Sequence, residues 1–288
     1  MTKRIGRKTL ILSSTTSNIG YAAVGAKKEK QGPLAGYFDL LSDDSSFGQK
    51  TWEKAETHMQ KTAIELALQK CNTQKDQIDF LFAGDLLNQC ISSAYASRDM
   101  LIPFFGLYGA CSTMSESLCL ASMFVDTGLG QRCLAATSSH FCSAERQFRF
   151  PLEYGGQRTP TAQWTVTGSG ACVVAPSAQA PFVRAVTVGT VQDLGITDIN
   201  NMGAAMAPAA AKTLCQFFSD TSTRPEDYDM ILTGDLGFVG SRLLERLMQA
   251  EGYPMATLHN DCGLMIYDRK TQDVHAGGSG CGCEASVL

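Results

Sequence analysis

The sequence predicts an α/β protein made of two duplicated halves, with mixed sheets and with helices between and outside them. Three observations lead there. The first is an internal repeat: Asp79–Leu86 reads Asp-Phe-Leu-Phe-Ala-Gly-Asp-Leu, and Asp229–Leu236 reads Asp-Met-Ile-Leu-Thr-Gly-Asp-Leu. Four of the eight positions are identical and three more exchange one large apolar residue for another; the second copy lies 150 residues on (79 to 229), about half the 288-residue chain. The second is that each copy is a short apolar run closed by Gly-Asp, as suits a buried strand ending in a turn. The third is that each follows a helix-like segment and a polar break, at Gln74–Gln77 and Ser222–Tyr228. Chance similarity between two buried strands is the alternative. Duplication would put an active site where the halves meet.

Taken in order, Leu10–Ser14 reads as a first strand. Trp52–Cys71 reads as a helix, with Ala55, Met59, Ala63 and Leu66 on one face. Ile78–Ala83 is the next strand, and Ser112–Asp126 is a helix stopped by Gly128. Arg132–Thr137 and Thr165–Ala175 read as two further strands. Pro176–Pro181 makes a junction, dividing the chain into halves at 1–178 and 179–288. The second half opens with a strand at Val183–Val191, then an Ala-rich helix over Ala204–Phe218, the repeated strand, a helix at Arg242–Gln249 and a strand at Leu264–Tyr267. A glycine-rich turn, Gly277–Gly282, leads into Cys283–Leu288. The chain runs 90 residues from Leu86 to Pro176 but only 52 from Leu236 to Leu288. The second half is therefore expected to be incomplete, with about one helix and two strands to follow.

The bulk properties exclude several classes. Apolar residues at 44% with 18% charged suit a globular protein, and a net charge of −4 argues against a nucleic-acid binder. No apolar run is long enough to span a bilayer, and Leu10–Leu12 is too short for a secretory leader. Eleven cysteines, scattered through apolar segments, suit buried thiols in a reducing compartment. His259, Cys262, His275, Cys281 and Cys283 form the densest group of metal-type residues, but Cys-x-Cys beside glycines lacks the usual zinc-knuckle spacing. No metal and no cofactor are expected.

The chemically sharpest segment is Gly109-Ala110-Cys111-Ser112-Thr113-Met114-Ser115-Glu116. A cysteine opening a helix sits where unpaired amides and the macrodipole favour negative charge, which lowers a thiol pKa. The same amides can bind a carbonyl oxygen or a carboxylate. Alternatively Cys111 is a buried structural thiol, and Ser112 caps the helix with Ser115 or Glu116.

Duplication and helix-start cysteine together make the chain resemble the thiolase superfamily, and within it the β-ketoacyl-acyl-carrier-protein synthase III branch. A tighter resemblance runs from about Ser45 to Val287. Thr137-Ser138-Ser139-His140, Gln147-Phe148-Arg149-Phe150-Pro151, Glu153-Tyr154-Gly155-Gly156-Gln157-Arg158 and the run from Pro160 to Gly170 are similar to the stage V sporulation protein AD family. So are Phe47 to Glu56 and Gly277 to Cys283. That resemblance implies a thiolase-like fold in a spore-forming bacterium. It implies binding of dipicolinic acid (pyridine-2,6-dicarboxylate), with or without calcium, and its delivery into the developing spore. Other stage V sporulation proteins would form the membrane channel, with this chain cytoplasmic and peripheral to the forespore inner membrane. It also implies a homodimer, for which Thr165–Ala175 is the candidate strand.

Condensing enzymes of the superfamily pair the cysteine with two histidines, or a histidine and an asparagine, from the second half. Here the first of those places holds Gly234-Asp235-Leu236-Gly237 and the second Gly278-Ser279-Gly280-Cys281-Gly282. A carboxylate such as Asp235 would raise the thiol pKa. The pocket is thus expected to survive without its catalytic partners, and the chain is expected not to be an enzyme. A ligand site would draw on Cys111 and Ser112 for one carboxylate, on Ser138, Ser139, His140 and Arg149 for the other, and on Trp164 for the ring. Against this, the arginines of residues 144–158 pair with Glu145 and Glu153, and His140 is a hydrogen-bonded core residue. Asp85 and Asp235 would satisfy backbone amides in matching turns. A working acyltransferase using Cys111, and a scaffold that docks membrane partners, are the competing functions.

Overall fold

The computed structural model describes residues 2–13, 15–148 and 158–287. The chain opens with an antiparallel pair, β1 (Lys3–Ile5) and β2 (Thr9–Ile11). Next come β3 (Thr16–Gly25), β4 (Leu40–Leu41) and α1 (Trp52–Lys70), which starts where the Thr51 hydroxyl accepts from the Lys54 amide at 3.3 Å. Then follow β5 (Phe80–Gly84), α2 (Ile91–Met100), β6 (Phe104–Gly106), α3 (Thr113–Asp126), β7 (Cys133–Ser139), α4 (Phe141–Phe148), β8 (Trp164–Thr165) and β9 (Gly168–Pro176).

Six of these strands form one mixed sheet in the order β4-β3-β9-β7-β5-β6, with β9 antiparallel to both its neighbours. Side chains alternate across it as the pleat requires. On β7, Leu134 and Ala136 pack with Met59 and Ala63 of α1, while Cys133 and Ala135 pack with Met114 and Val125 of α3. The stripe of α1 expected from spacing is buried at Ala55, Met59 and Ala63; Leu66 is half-buried, and Ala67 takes its place. Burying Met59 and Ile64 fully contributes about 1.5–3 kcal/mol each.

The rest of the chain supplies β10 (Ala185–Thr187), α5 (Met202–Thr221), β11 (Ile231–Thr233), α6 (Gly237–Ala250), β12 (His259–Asp261), α7 (Cys262–Met265), β13 (Gly278–Ser279) and α8 (Cys281–Val287). Here β11 and β12 form a parallel pair, β10 joins β2, and β13 lies parallel to β8. Pairings therefore cross the junction at 176–181 in both directions. The two copies of the repeat each have a parallel downstream neighbour, β7 beside β5 and β12 beside β11.

Three expected strands are corrected. Thr165–Ala175 is two strands in different sheets: β8 binds β13, then the chain steps across at Val166–Thr167 to enter the large sheet as β9. Every residue from Thr165 to Ala175 is buried, so the sequence shows no change of pattern where one sheet hands over to the other. Because β3 and β7 occupy both edges of β9, it offers no free edge for a dimer. Leu264–Tyr267 is not a strand. Asp261 accepts from the Gly263 amide and starts the short helix α7 instead. Only Ala185–Thr187 of the expected Val183–Val191 pairs, since β2 has three residues to offer.

Two glycines let α8 lie directly on the large sheet. A β-carbon on Gly170 would stand 1.9 Å from the Ala285 carbonyl oxygen, and one on Gly168 would stand 2.5 Å from the Ser286 hydroxyl. Larger residues there would lift α8 off β9, and α8 carries half of the site described next.

Candidate functional site

Cys111 lies in a single 3-10 turn, Ala110–Ser112, that runs into α3. Ala110 adopts φ 49°, a left-handed conformation that strains a residue with a β-carbon. The turn closes on itself: the Ser112 amide and hydroxyl both donate to the Gly109 carbonyl, at 3.2 and 2.9 Å. Ser112 is exposed and makes no side-chain cap, contrary to the cap considered above, because its hydroxyl turns back to Gly109; its amide, expected to receive a carboxylate, is committed to the same oxygen.

Facing this turn are α8 and the loop after β11. The Cys281 thiol donates to the Ala110 carbonyl at 3.0 Å. The Thr137 hydroxyl donates to the Cys281 carbonyl, and the Gly282 amide donates to the Ser139 hydroxyl at 2.9 Å. The end of β7, the start of α3 and the start of α8 are thus bound together.

Asp235 closes the group. It is fully buried, has φ 60°, and accepts from the Gly280 amide through Oδ2 at 2.7 Å. Its Oδ1 accepts no hydrogen bond of ordinary geometry, although the thiols of Cys111 and Cys283 stand beside the carboxyl group. Burial pushes the Asp235 carboxyl well above the usual carboxylate range. Burial, and then Asp235 itself, push the Cys111 thiol well above the usual thiol range, against a smaller pull from the Gly280 amide. Cys111 is therefore a neutral thiol, not a thiolate, beside a carboxyl group that burial biases toward its protonated form and whose ionised form would hold the thiol proton more firmly still. Glu284, bound by the Ser115 hydroxyl, is raised by burial to about 7.

Asp85 and Asp235 do not play matching parts. Asp85 accepts from the Leu87 amide and from the Ser93 amide and hydroxyl, all at 2.7–2.9 Å. In the second half that turn-binding job falls to Asp261, which accepts from the Leu236, Gly237 and Gly263 amides.

The other residues singled out from the sequence are divided. Ser139 touches the site through Gly282, but its hydroxyl also donates to the Val166 carbonyl at 2.7 Å. Ser138 donates to Glu56. His140 binds the Ser45 carbonyl at 2.8 Å and lies 5.3 Å from the Trp52 ring, and burial holds its pKa below the usual histidine value. All three are buried, so His140 matches the core histidine considered as its alternative. Trp164 stacks on Phe141 at 4.1 Å, with Lys28 at 3.7 Å and Arg158 at 4.9 Å from its ring. Arg158 pairs with Glu145, as the competing reading of these arginines held. Arg149 lies outside the described residues, as do Phe150 and Tyr154.

The remaining histidines stand elsewhere. His58 is exposed on α1, His259 binds Thr233 beside Glu245, and His275 lies 3.3 Å from Asp273. Among the described residues no group of three or more His, Cys, Asp or Glu is arranged to hold a metal ion. Two surface clefts, of about 320 Å³ beside Arg242 and Arg246 and about 400 Å³ beside Lys61 and Asn72, have none of the site residues in their walls.

Sequence reasoning missed Glu56, held between Ser138 and Ser143 and raised well above the carboxylate range by burial and then by Asp85. Its signal was present. Glu56 and Gln60 stand four apart and next to the apolar stripe of α1, on the face turned to the sheet.

The thiolase-like fold is shared with solved ketosynthase structures. OleA from Xanthomonas campestris, in a variant form, matches with TM-score 0.63 and 14% identity, over 96% of this chain and 90% of that one. The 3-oxoacyl-acyl-carrier-protein synthase III from Aquifex aeolicus VF5 matches with TM-score 0.57 and 14% identity, over 94% and 89%. At such identity these likenesses concern the fold alone. A curated Bacillus subtilis (strain 168) protein, stage V sporulation protein AD, is 49% identical over 285 residues, covering 99% of this chain and 84% of that protein. The family model for stage V sporulation protein AD matches residues 6–288. Matched along nearly its whole length by that model and at 49% identity by that relative, the chain belongs to the stage V sporulation protein AD family of thiolase-like proteins.

Proposed function

We propose that the chain is a non-catalytic binding protein for dipicolinate, free or as its calcium chelate, and that it supports uptake of that ligand into the developing spore. One observation carries the non-catalytic part: the cysteine at the enzyme-like position faces a buried carboxyl group, Asp235, and, among the described residues, no imidazole. A nucleophilic thiol needs a base to take its proton and donors for the oxyanion. Burial and Asp235 act in the opposite direction and keep the proton on sulfur. The choice of ligand rests on the family resemblance read from the sequence motifs. The chain would work beside membrane partners of the same sporulation stage, peripheral to the forespore inner membrane. Among the described residues no helix is long and apolar enough to cross a membrane.

The test is calorimetric titration of the purified protein with dipicolinate, with and without calcium, run beside mass spectrometry after incubation with acyl-CoA. Saturable dipicolinate binding with an unmodified Cys111 is expected. A stable acyl adduct on Cys111 with turnover above background overturns the reading in favour of an acyltransferase.

A further inference from the structure

The Asp235 side chain is placed in a way that its own fold does not explain. It is fully buried, its backbone takes the left-handed conformation at φ 60°, and only Oδ2 accepts a hydrogen bond of ordinary geometry, the thiols of Cys111 and Cys283 being the remaining donors beside the carboxyl group. A buried carboxyl oxygen with only weak thiol donors near it is poorly compensated, and the native chain retains one here. The titratable groups facing it are Cys111 ahead of α3, Cys281, Cys283 and Glu284 from α8, and Asp261 and Cys262 at the end of β12. Every one of them is an acid. An anionic Asp235 in that company would have like charge around it and no neutralising contact. A neutral carboxyl group there presents an O–H, and the unsatisfied Oδ1 is the atom free to carry it, since Oδ2 already accepts from Gly280.

We propose that Asp235 is a ligand-binding residue, which donates its carboxylic-acid proton in a hydrogen bond to a carboxylate of the bound molecule at the Cys111 site. This deepens the binding role proposed above and rests on it. The ligand class is a carboxylate, and the recognition is an acid–carboxylate pair with one proton between two oxygens. Such a bond belongs to the strong, charge-assisted kind, made without any cationic side chain. It forms only while Asp235 keeps its proton, so the site prefers a protonated protein meeting an ionised ligand.

Two substitutions separate this from a structural role. Asp235→Asn keeps a donor, an N–H in place of the O–H, and asparagine tolerates the left-handed backbone. Asp235→Gly removes the side chain without backbone strain. With dipicolinate as the probe, Asp235→Asn should bind within about threefold of the unaltered protein and Asp235→Gly at least about tenfold more weakly, the loss of one charge-assisted hydrogen bond. Raising the pH should weaken binding to the unaltered protein more steeply than binding to Asp235→Asn, in which Glu284 and Asp261 still ionise but residue 235 does not. Infrared difference spectra should show a protonated-carboxyl band that shifts on adding dipicolinate and is missing from Asp235→Asn. Circular dichroism establishes that both variants are folded. Equal affinities for Asp235→Gly and the unaltered protein overturn the inference and leave the binding role standing. So does binding that needs calcium and is abolished in Asp235→Asn, since a cation contact requires the ionised group. Failure of the folded, unaltered protein to bind dipicolinate at any pH instead overturns the binding role, and the inference with it.

Discussion

Replacing Glu284 by glutamine should stabilise the protein at alkaline pH and do little in acid. Glu284 is 6% exposed, sits on α8, and is held by the Ser115 hydroxyl. Burial raises its carboxyl from 4.5 to about 7, which corresponds to about 3 kcal/mol. Below pH 4.5 the group is protonated in both the folded and the unfolded chain and changes nothing. Between 4.5 and about 7 the unfolded chain gives up its proton while the folded one keeps it, so stability falls as pH rises. Above that window the loss is complete. Glutamine has the same shape, still accepts from Ser115 and never ionises. Denaturant unfolding should therefore find Glu284→Gln more stable by about 3 kcal/mol at pH 8, and within about 1 kcal/mol of the unaltered protein at pH 5. An equal difference at both pH values would show that Glu284 is not held protonated by its surroundings. A variant less stable at pH 8 would show that the carboxylate there is needed.

Cys111→Ala should weaken dipicolinate binding by about tenfold or less, the worth of one hydrogen bond, and a complete loss in titration would give the thiol a larger part than a neutral lining group. Gly170→Ala puts a β-carbon onto the Ala285 carbonyl and should destabilise by about 1–3 kcal/mol through displacement of α8, which thermal unfolding will measure; an unchanged midpoint means that α8 does not rest on β9. A dimer, expected from the family resemblance, would have an open sheet edge at β6, which among the described residues pairs only with β5 and exposes Phe105 at 45%. Light scattering at micromolar concentration should report a dimer, and Phe105→Lys should report a monomer; a strictly monomeric unaltered protein sinks the idea.

Local patterns in the sequence found the four long helices but not α2, α4 or the ten-residue strand β3, and they placed the short strands poorly. α1, α3, α5 and α6 carry a 3.6-residue period over 14 or more residues, enough for the buried face to declare itself. β8, β13 and α7 have two to four residues each, and their state is decided by what they meet: Gly278 opposite Trp164, or Asp261 capping Gly263. The helix-start position of Cys111 was legible, because small residues before a helical run mark it. The opposing effect of Asp235 was reached only through the family resemblance, which set it where a catalytic histidine would stand; no local pattern ties it, more than a hundred residues away, to Cys111 or shows the burial of the thiol. Ser138 and His140 looked like ligand donors because polar residues closing a buried strand suggest a site. Their partners, Glu56 on α1 and the Ser45 carbonyl, come from elements that no local pattern ties to β7.

The hairpin at the start of the chain has a consequence for how the molecule is assembled. β2 sits between β1 and β10, so Ile11 pairs with Ala185, and the Asp220 carboxylate on α5 receives the Arg7 and Lys8 amides. A two-stranded hairpin alone is marginal in water, so β1 and β2 stay provisional until residues 185–187 have been made. During synthesis the large sheet has all its strands once Pro176 has emerged, whereas β1 and β2, made earlier, settle only later. A fusion placed ahead of Lys3 therefore bears on the sheet that closes late, and leaves the earlier-formed six-stranded core to fold undisturbed.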